Sequence, residues 1–295
     1  MPLFISYGVI LSAYDEKRNY DKILDEYVQQ VSGYFEKEIN SSIDGVEFLI
    51  VDEKSFSVKA SLGEEKHRGK IVFSRLIIVA MYEMFYSMDY KGIVVDGKNI
   101  EIIKEMLFKF ALFSVLLHEM AHIYRGHVGL YGYWEKHNLI ESHILDIQTL
   151  EWDADCMSAT NIAKVINLRK KEILPDVTID FITKIMCGAI CGAMYWQRFI
   201  TDFDGIRSKM HPIPIYRAII MIDCIGDLVG NKEQIYDYFN GYENEFNKVF
   251  AISEEAIVKE WKLAAKEVDI IAEYYDRWDI LKDELEEYSV IPLDE

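Results

Sequence analysis

Cysteine, proline and positive charge are all scarce in this chain. Its 295 residues include four cysteines (Cys156, Cys187, Cys191 and Cys224) and no C-x-x-C pair. That excludes a disulfide framework or a thiolate metal knuckle and predicts a reducing, cytoplasmic setting. Five prolines leave no proline-rich linker to divide the chain. Lysine and arginine number 32 against 50 acidic residues, a net charge of -18, so nucleic acid and anionic membranes are excluded as partners and a polypeptide is not.

Long apolar runs are missing too. The most apolar stretch, "IMCGAICGAMYW" at residues 185–196, lies between Lys184 and Arg198, too short for the ~20 apolar residues of a membrane helix. Gly188 and Gly192 lie four apart within it and predict a buried helix with close neighbours rather than a membrane dimer. The first 21 residues have no basic stretch ahead of their apolar ones and so predict no secretory leader.

What the chain does have is apolar periodicity. Half of it is hydrophobic and 13% is aromatic, enough for a large core. Residues 16–40 predict an amphipathic helix with Ile23, Tyr27, Val31 and Phe35 on one stripe. "VEFLIV", "FSVKASL" and "KIVFSR" alternate as a small antiparallel meander, "LIIVAMYEMFYSM" predicts a buried helix, and "VVDGKN" a turn. Continuous helical patterning from Asn99 to Arg125 stops at Gly126, and Gly129 and Gly132 predict a loop beyond. Helices are expected over about 139–169 and 178–200, and another after "HPIPIYR", whose two prolines impose an extended lead-in. The last 65 residues read as charged helices anchored by Trp261, Tyr274, Tyr275 and Trp278. The class is mainly α (α+β). One continuous domain is expected in three stretches: 1–98, a helix, the sheet and a further helix; 99–225, the chemistry; 226–295, a helical end.

The chemistry centres on "LLHEMAHIYRGH", residues 116–127. On a helix, residues four apart share one face at about 6 Å, so His118 and His122 can aim both imidazoles at one point. Glu119 lies at the flank of that pair, placed for a general base rather than a ligand. A hydrolytic zinc needs a third protein ligand. The metzincin pattern would supply a histidine six residues past the second, but that position is Val128. His127 lies past the helix end and is expected to be structural or to touch substrate.

"EWDADCMSA", residues 151–159, offers the better donor. Glu151 and Asp155 lie four apart on the following helix. Packed beside the first, that helix would bring Glu151 to the metal and Asp155 to the far nitrogen of a ligating histidine. Asp153 falls on another face and is expected in solvent. Ala154 and Ala159 would let the helices approach closely. In "HPIPIYR", His211, Tyr216 or Arg217 could face a developing oxyanion, or Arg217 could brace a carboxylate. His67, His137 and His143 have no spacing partner. The plain alternative, a helix end whose histidines bond local carbonyls, competes with a motif expected by chance at about the 1% level.

"HEMAH" followed by "EWDAD" resembles the gluzincin zinc peptidases, in which the downstream glutamate is the third ligand and the aspartate four residues on supports a ligand. "HPIPIYR" is similar to a segment of the prenyl-protein and Oma-type peptidases. Over residues 110–220 the chain most resembles the Lit family of phage-exclusion peptidases. The resemblance implies a zincin-like fold and a soluble Zn2+ endopeptidase cutting one specific intracellular protein, in phage defence or a stress response. In Lit the cleaved protein is a translation elongation factor. By this reading His118, His122 and Glu151 bind metal, Glu119, His211 and Arg217 are catalytic, and Asp155 supports a ligand. "KIVFSR" is the expected edge for an added substrate strand. The acidic C-terminal helices are candidates for control or for assembling a homo-oligomer. Rival readings are a non-catalytic peptidase-fold interaction protein and a zinc hydrolase of non-peptide amides.

Overall fold

In a computed structural model the chain is described at residues 22, 29, 46–52, 57–63, 69–88, 90, 99–173, 178–200, 211–230, 232–249, 252–268, 271–291 and 293. Apart from residues 22 and 29, both helical, the helix expected over 16–40 lies outside these residues, as do the turn at 94–99 apart from Asn99, and His67.

Three short strands lead: β1 (Val46–Val51), β2 (Val58–Leu62) and β3 (Gly69–Ser74). Their order is β1-β3-β2, with β1 parallel to β3 (Val46 opposite Gly69) and β2 antiparallel to it (Val58 opposite Phe73). The sheet is therefore mixed, not the antiparallel meander that the sequence suggested. The physical reason is burial. Ile71 and Phe73 of β3 are almost fully covered, and the central position pairs that strand on both sides. The more polar β2, with Lys59 and Leu62 exposed, takes an edge.

Helix α1 (Arg75–Ser87) follows β3 directly and is buried from Leu76 to Tyr82. Helix α2 (Ile100–Tyr124) starts at Asn99, whose side chain accepts a hydrogen bond from the Glu101 N–H at 3.0 Å. It ends before Gly126, which holds φ at 80°. That turn starts a helix rather than a loop. Helix α3 (His127–Lys136) begins at once, with Gly129 and Gly132 inside it. A 3-10 turn at Ile140–Ser142 leads into α4 (Ile144–Ile173).

Helix α5 (Ile179–Ile200) runs against α2, and α6 (Pro214–Val229), begun by Pro214, lies on α4 and α5. As the sequence predicted, the glycines of α5 are points of close approach: a Cβ on Gly188 would lie 2.4 Å from the Tyr242 ring and one on Gly192 2.3 Å from Phe85. No described helix is long and apolar enough to cross a membrane.

Helices α7 (Lys232–Val249), α8 (Glu254–Val268) and α9 (Ile271–Leu285) complete the chain. Of the four expected anchors Tyr274 is buried and Trp278 packs on both apolar clusters, whereas Trp261 and Tyr275 stay exposed. Leu281 and Leu285 join Leu130, Trp134, Ile147 and Leu150 in a second small core that fastens α9 across α3 and α4. Beyond α9 the backbone returns to the end of α2, where the Val290 N–H donates to the Tyr124 carbonyl at 2.8 Å.

Candidate metal centre

Two helices build the centre. Near its end, α2 presents His118 and His122 on one face, and α4 presents Glu151 opposite them. His118 Nε2 and His122 Nε2 lie 3.0 Å apart, and each is 3.3 Å from an oxygen of Glu151. Among the described residues these three form the group whose donor atoms could hold a metal ion. The donor set fits zinc: two imidazole nitrogens and a carboxylate, with bonds of about 2.0–2.1 Å at tetrahedral angles, place neighbouring donors about 3.3 Å apart.

The far nitrogens of both histidines are also engaged. His118 Nδ1 lies 2.9 Å from Asp155 Oδ1. Asp155 is fully buried and receives both arms of Arg217, Nε at 2.7 Å and Nη2 at 2.8 Å. His122 Nδ1 lies 3.0 Å from His127 Nδ1. A metal-binding histidine with its second nitrogen held in this way keeps one ring orientation and one tautomer.

Charge is balanced tightly around Glu151. Burial raises its pKa, but His211, His122 and Arg217 outweigh that and hold the carboxyl well below the usual range. Asp155 behaves alike: burial is overcome by Arg217, then His118. Burial and the Arg217 charge push the His118 imidazole down, yet Asp155 and Glu151 prevail and hold it up at about 9. Burial dominates at His127 and lowers it to about 4 despite Asp153.

The remaining candidates divide. Glu119 lines the same cleft of about 640 Å³ as the three donors. His211 does as well, 42% exposed, with Nδ1 3.1 Å from Glu151 Oε2. Arg217 is almost fully buried and grips Asp155, yet it also lines the cleft, with Nη2 3.3 Å from Glu151 Oε2. Tyr216 is wholly buried in the apolar core, away from the cleft wall.

Asp153 is not in solvent. It is buried, with Arg125 Nε at 2.5 Å and His127 Nε2 at 3.1 Å, both brought to it from either side of Gly126. The signal for it was Arg125, a cation capping the end of α2 without an obvious sequence partner. The sequence reading also missed Tyr131, Glu135 and Lys59, which line the cleft from α3 and β2. His143 stacks on Trp134 at 4.6 Å and reaches Asp146 at 2.5 Å, so it is a buttress rather than a lone loop residue.

Comparison with protein-family models, curated proteins and solved structures finds no match to this chain.

Proposed function

We propose that this chain is a zinc-dependent endopeptidase of gluzincin arrangement on a zincin-like fold. The observation that carries this reading is the convergence of His118, His122 and Glu151 at zinc-like spacing, on the wall of an open cleft that also holds Glu119. A zinc ion held there supplies Lewis-acid polarisation and makes water acidic enough to react near neutral pH.

The chain's own residues do the rest. Glu119 takes a proton from the attacking water and returns it to the leaving amine. His211, in the cleft and partly exposed, is placed to donate a hydrogen bond to the carbonyl oxygen as it gains charge. Arg217 holds Asp155, and through it the ring of His118, and its Nη2 also lies 3.3 Å from Glu151 Oε2 and 3.2 Å from His118 Nε2.

The substrate edge differs from the one the sequence suggested. "KIVFSR" forms β3, whose two sides are taken by β1 and β2. Val58, Lys59 and Ala60 of β2 line the cleft instead, so an extended polypeptide is read along β2 by strand addition. The free thiols of Cys156, Cys187, Cys191 and Cys224 suit a reducing compartment. A single intracellular protein, cut in phage defence or stress, is the substrate class that the likeness to Lit peptidases supports.

Metal analysis of the purified protein tests the centre, with about one zinc per chain expected and loss of it in Glu151→Ala. Terminal-peptide proteomics of cells expressing wild type or Glu119→Gln tests the activity. New protein termini should appear only with wild type, although Glu119→Gln keeps its metal. Equal termini in both would discard the mechanism.

A further inference from the structure

We propose that His127 is a positioning residue for His122, the central link of a chain Arg125–Asp153–His127–His122 that fixes which nitrogen of His122 faces the metal. The inference rests on the metal-centre reading above and assigns to the second histidine ligand a support built differently from that of the first.

His122 turns Nε2 toward His118 and Glu151. A neutral imidazole that offers a lone pair at Nε2 carries its proton on Nδ1, and that proton needs an acceptor. The atom in reach is His127 Nδ1, 3.0 Å away. His127 must then accept at Nδ1 and hold its own proton on Nε2. That nitrogen is buried 3.1 Å from Asp153 Oδ2, without hydrogen-bond alignment in this structure. Asp153 is itself fixed by Arg125, whose Nε is 2.5 Å from Oδ2 and whose guanidinium lies 4.8 Å from the centre of the Trp278 ring. The two imidazole donors point outward from His122 toward Asp153, and Arg125 donates to that same carboxylate from the other side.

The backbone makes the arrangement specific. Gly126, at φ 80°, turns the chain sharply enough for the first residue of α3 to face the last turn of α2. A Cβ at this position would lie 2.7 Å from backbone atoms of Tyr288 and Ser289 and adopt a strained conformation as well. His127 is 2% exposed and Asp153 7%, so water does not compete for the links between them. His118 needs no such intermediary because Asp155 reaches it directly. On the His122 side an imidazole spans the gap to a carboxylate.

The test compares His127→Leu, which keeps bulk without an acceptor, with His127→Asn, whose amide oxygen falls near the place of Nδ1. Zinc affinity is measured against a chromophoric chelator, and metal-free melting is recorded in parallel. The leucine variant should bind zinc about 10–100-fold more weakly, and asparagine should recover most of that loss while melting like leucine. Equal affinity in wild type and leucine, or equal loss in both variants, overturns the proposal. Imidazole 15N spectra of zinc-loaded wild type give a second readout that needs no variant. Protons are expected on His122 Nδ1 and His127 Nε2, and a proton on His127 Nδ1 overturns the assignment. Wild type that takes up no zinc would remove the metal centre itself, a result distinct from loss of the relay alone.

Discussion

Arg217 and Asp155 are joined by two parallel hydrogen bonds, 2.7 and 2.8 Å long, beside the candidate metal ligands His118 and Glu151. Both residues are almost wholly excluded from water. Such a pair adds little net stability over an apolar substitute, but removing one partner strands the other charge. Arg217→Met should therefore cost about 3–5 kcal/mol of stability. Arg217→Lys should cost less, because it keeps the charge and loses the fork. Denaturant unfolding of the metal-free proteins measures both, and an unchanged midpoint for Arg217→Met would contradict the bracing role.

Metal uptake should release a proton. His118, held up at about 9 by Asp155 and Glu151 against burial and Arg217, is protonated at neutral pH and must lose that proton before its Nε2 can bind. Apparent zinc affinity should thus climb up to about tenfold per pH unit from pH 6 to 8 and flatten near 9. Calorimetric titration in buffers of different ionisation enthalpy counts the proton. The folded value is raised, so the same interaction stabilises the metal-free fold fully below about 6.5 and fades as pH rises through 9. An affinity independent of pH would contradict the prediction.

Acid should loosen the C-terminal helix. Asp146 of α4 is buried, which raises its pKa, but Arg277 and His143 prevail and hold it below its ordinary 3.8. Arg277 reaches it with two hydrogen bonds, one of them 2.9 Å long. A depressed folded value means stability present above about pH 4 and lost as pH falls through it. Asp146→Asn should lower stability by about 1–3 kcal/mol at pH 7. The gap between variant and wild type should narrow below pH 4, as thermal melts across pH 3–7 would show. A gap that stays constant would contradict the assignment.

Close packing of α2, α5 and α7 predicts intolerance at Gly188. An added methyl would meet the Tyr242 ring at 2.4 Å and Leu107 at 2.7 Å. Overpacking of this kind costs about 1–3 kcal/mol, so Gly188→Ala should melt measurably lower. Gly132→Ala is the control, since open space surrounds that position.

Most of the helical framework was legible in the sequence because apolar spacing records burial directly. The boundaries of α2 and α5 fall within a residue of expectation, and the His118, His122 and Glu151 grouping follows from two i, i+4 patterns. What the sequence hid was set by partners distant along the chain. Alternation in "KIVFSR" says which residues face the core, not which strands lie beside it, so the central place of β3 was invisible. Asp153 looked solvated because its position relative to Glu151 and Asp155 puts it off their face. Arg125 and His127, brought together across the turn at Gly126, cover it. Gly129 and Gly132 suggested a loop, but a continuing helical ladder, with Gly129 packed against Tyr288, overrode that local preference.

Within five residues of α4, Glu151, Asp153 and Asp155 hold the histidine pair, the Arg125–His127 couple and the Arg217 fork, with Asp155 also reaching His118 and Glu151 also reaching Arg217. One rigid rod thus sets the alignment of all three. Sliding it by a single residue would turn the carboxylates through about 100° and advance them about 1.5 Å, and every one of these attachments would fail together. The centre can be correctly threaded or dismantled, with no half-tuned register between, so point changes can adjust it while an insertion or deletion inside that turn cannot.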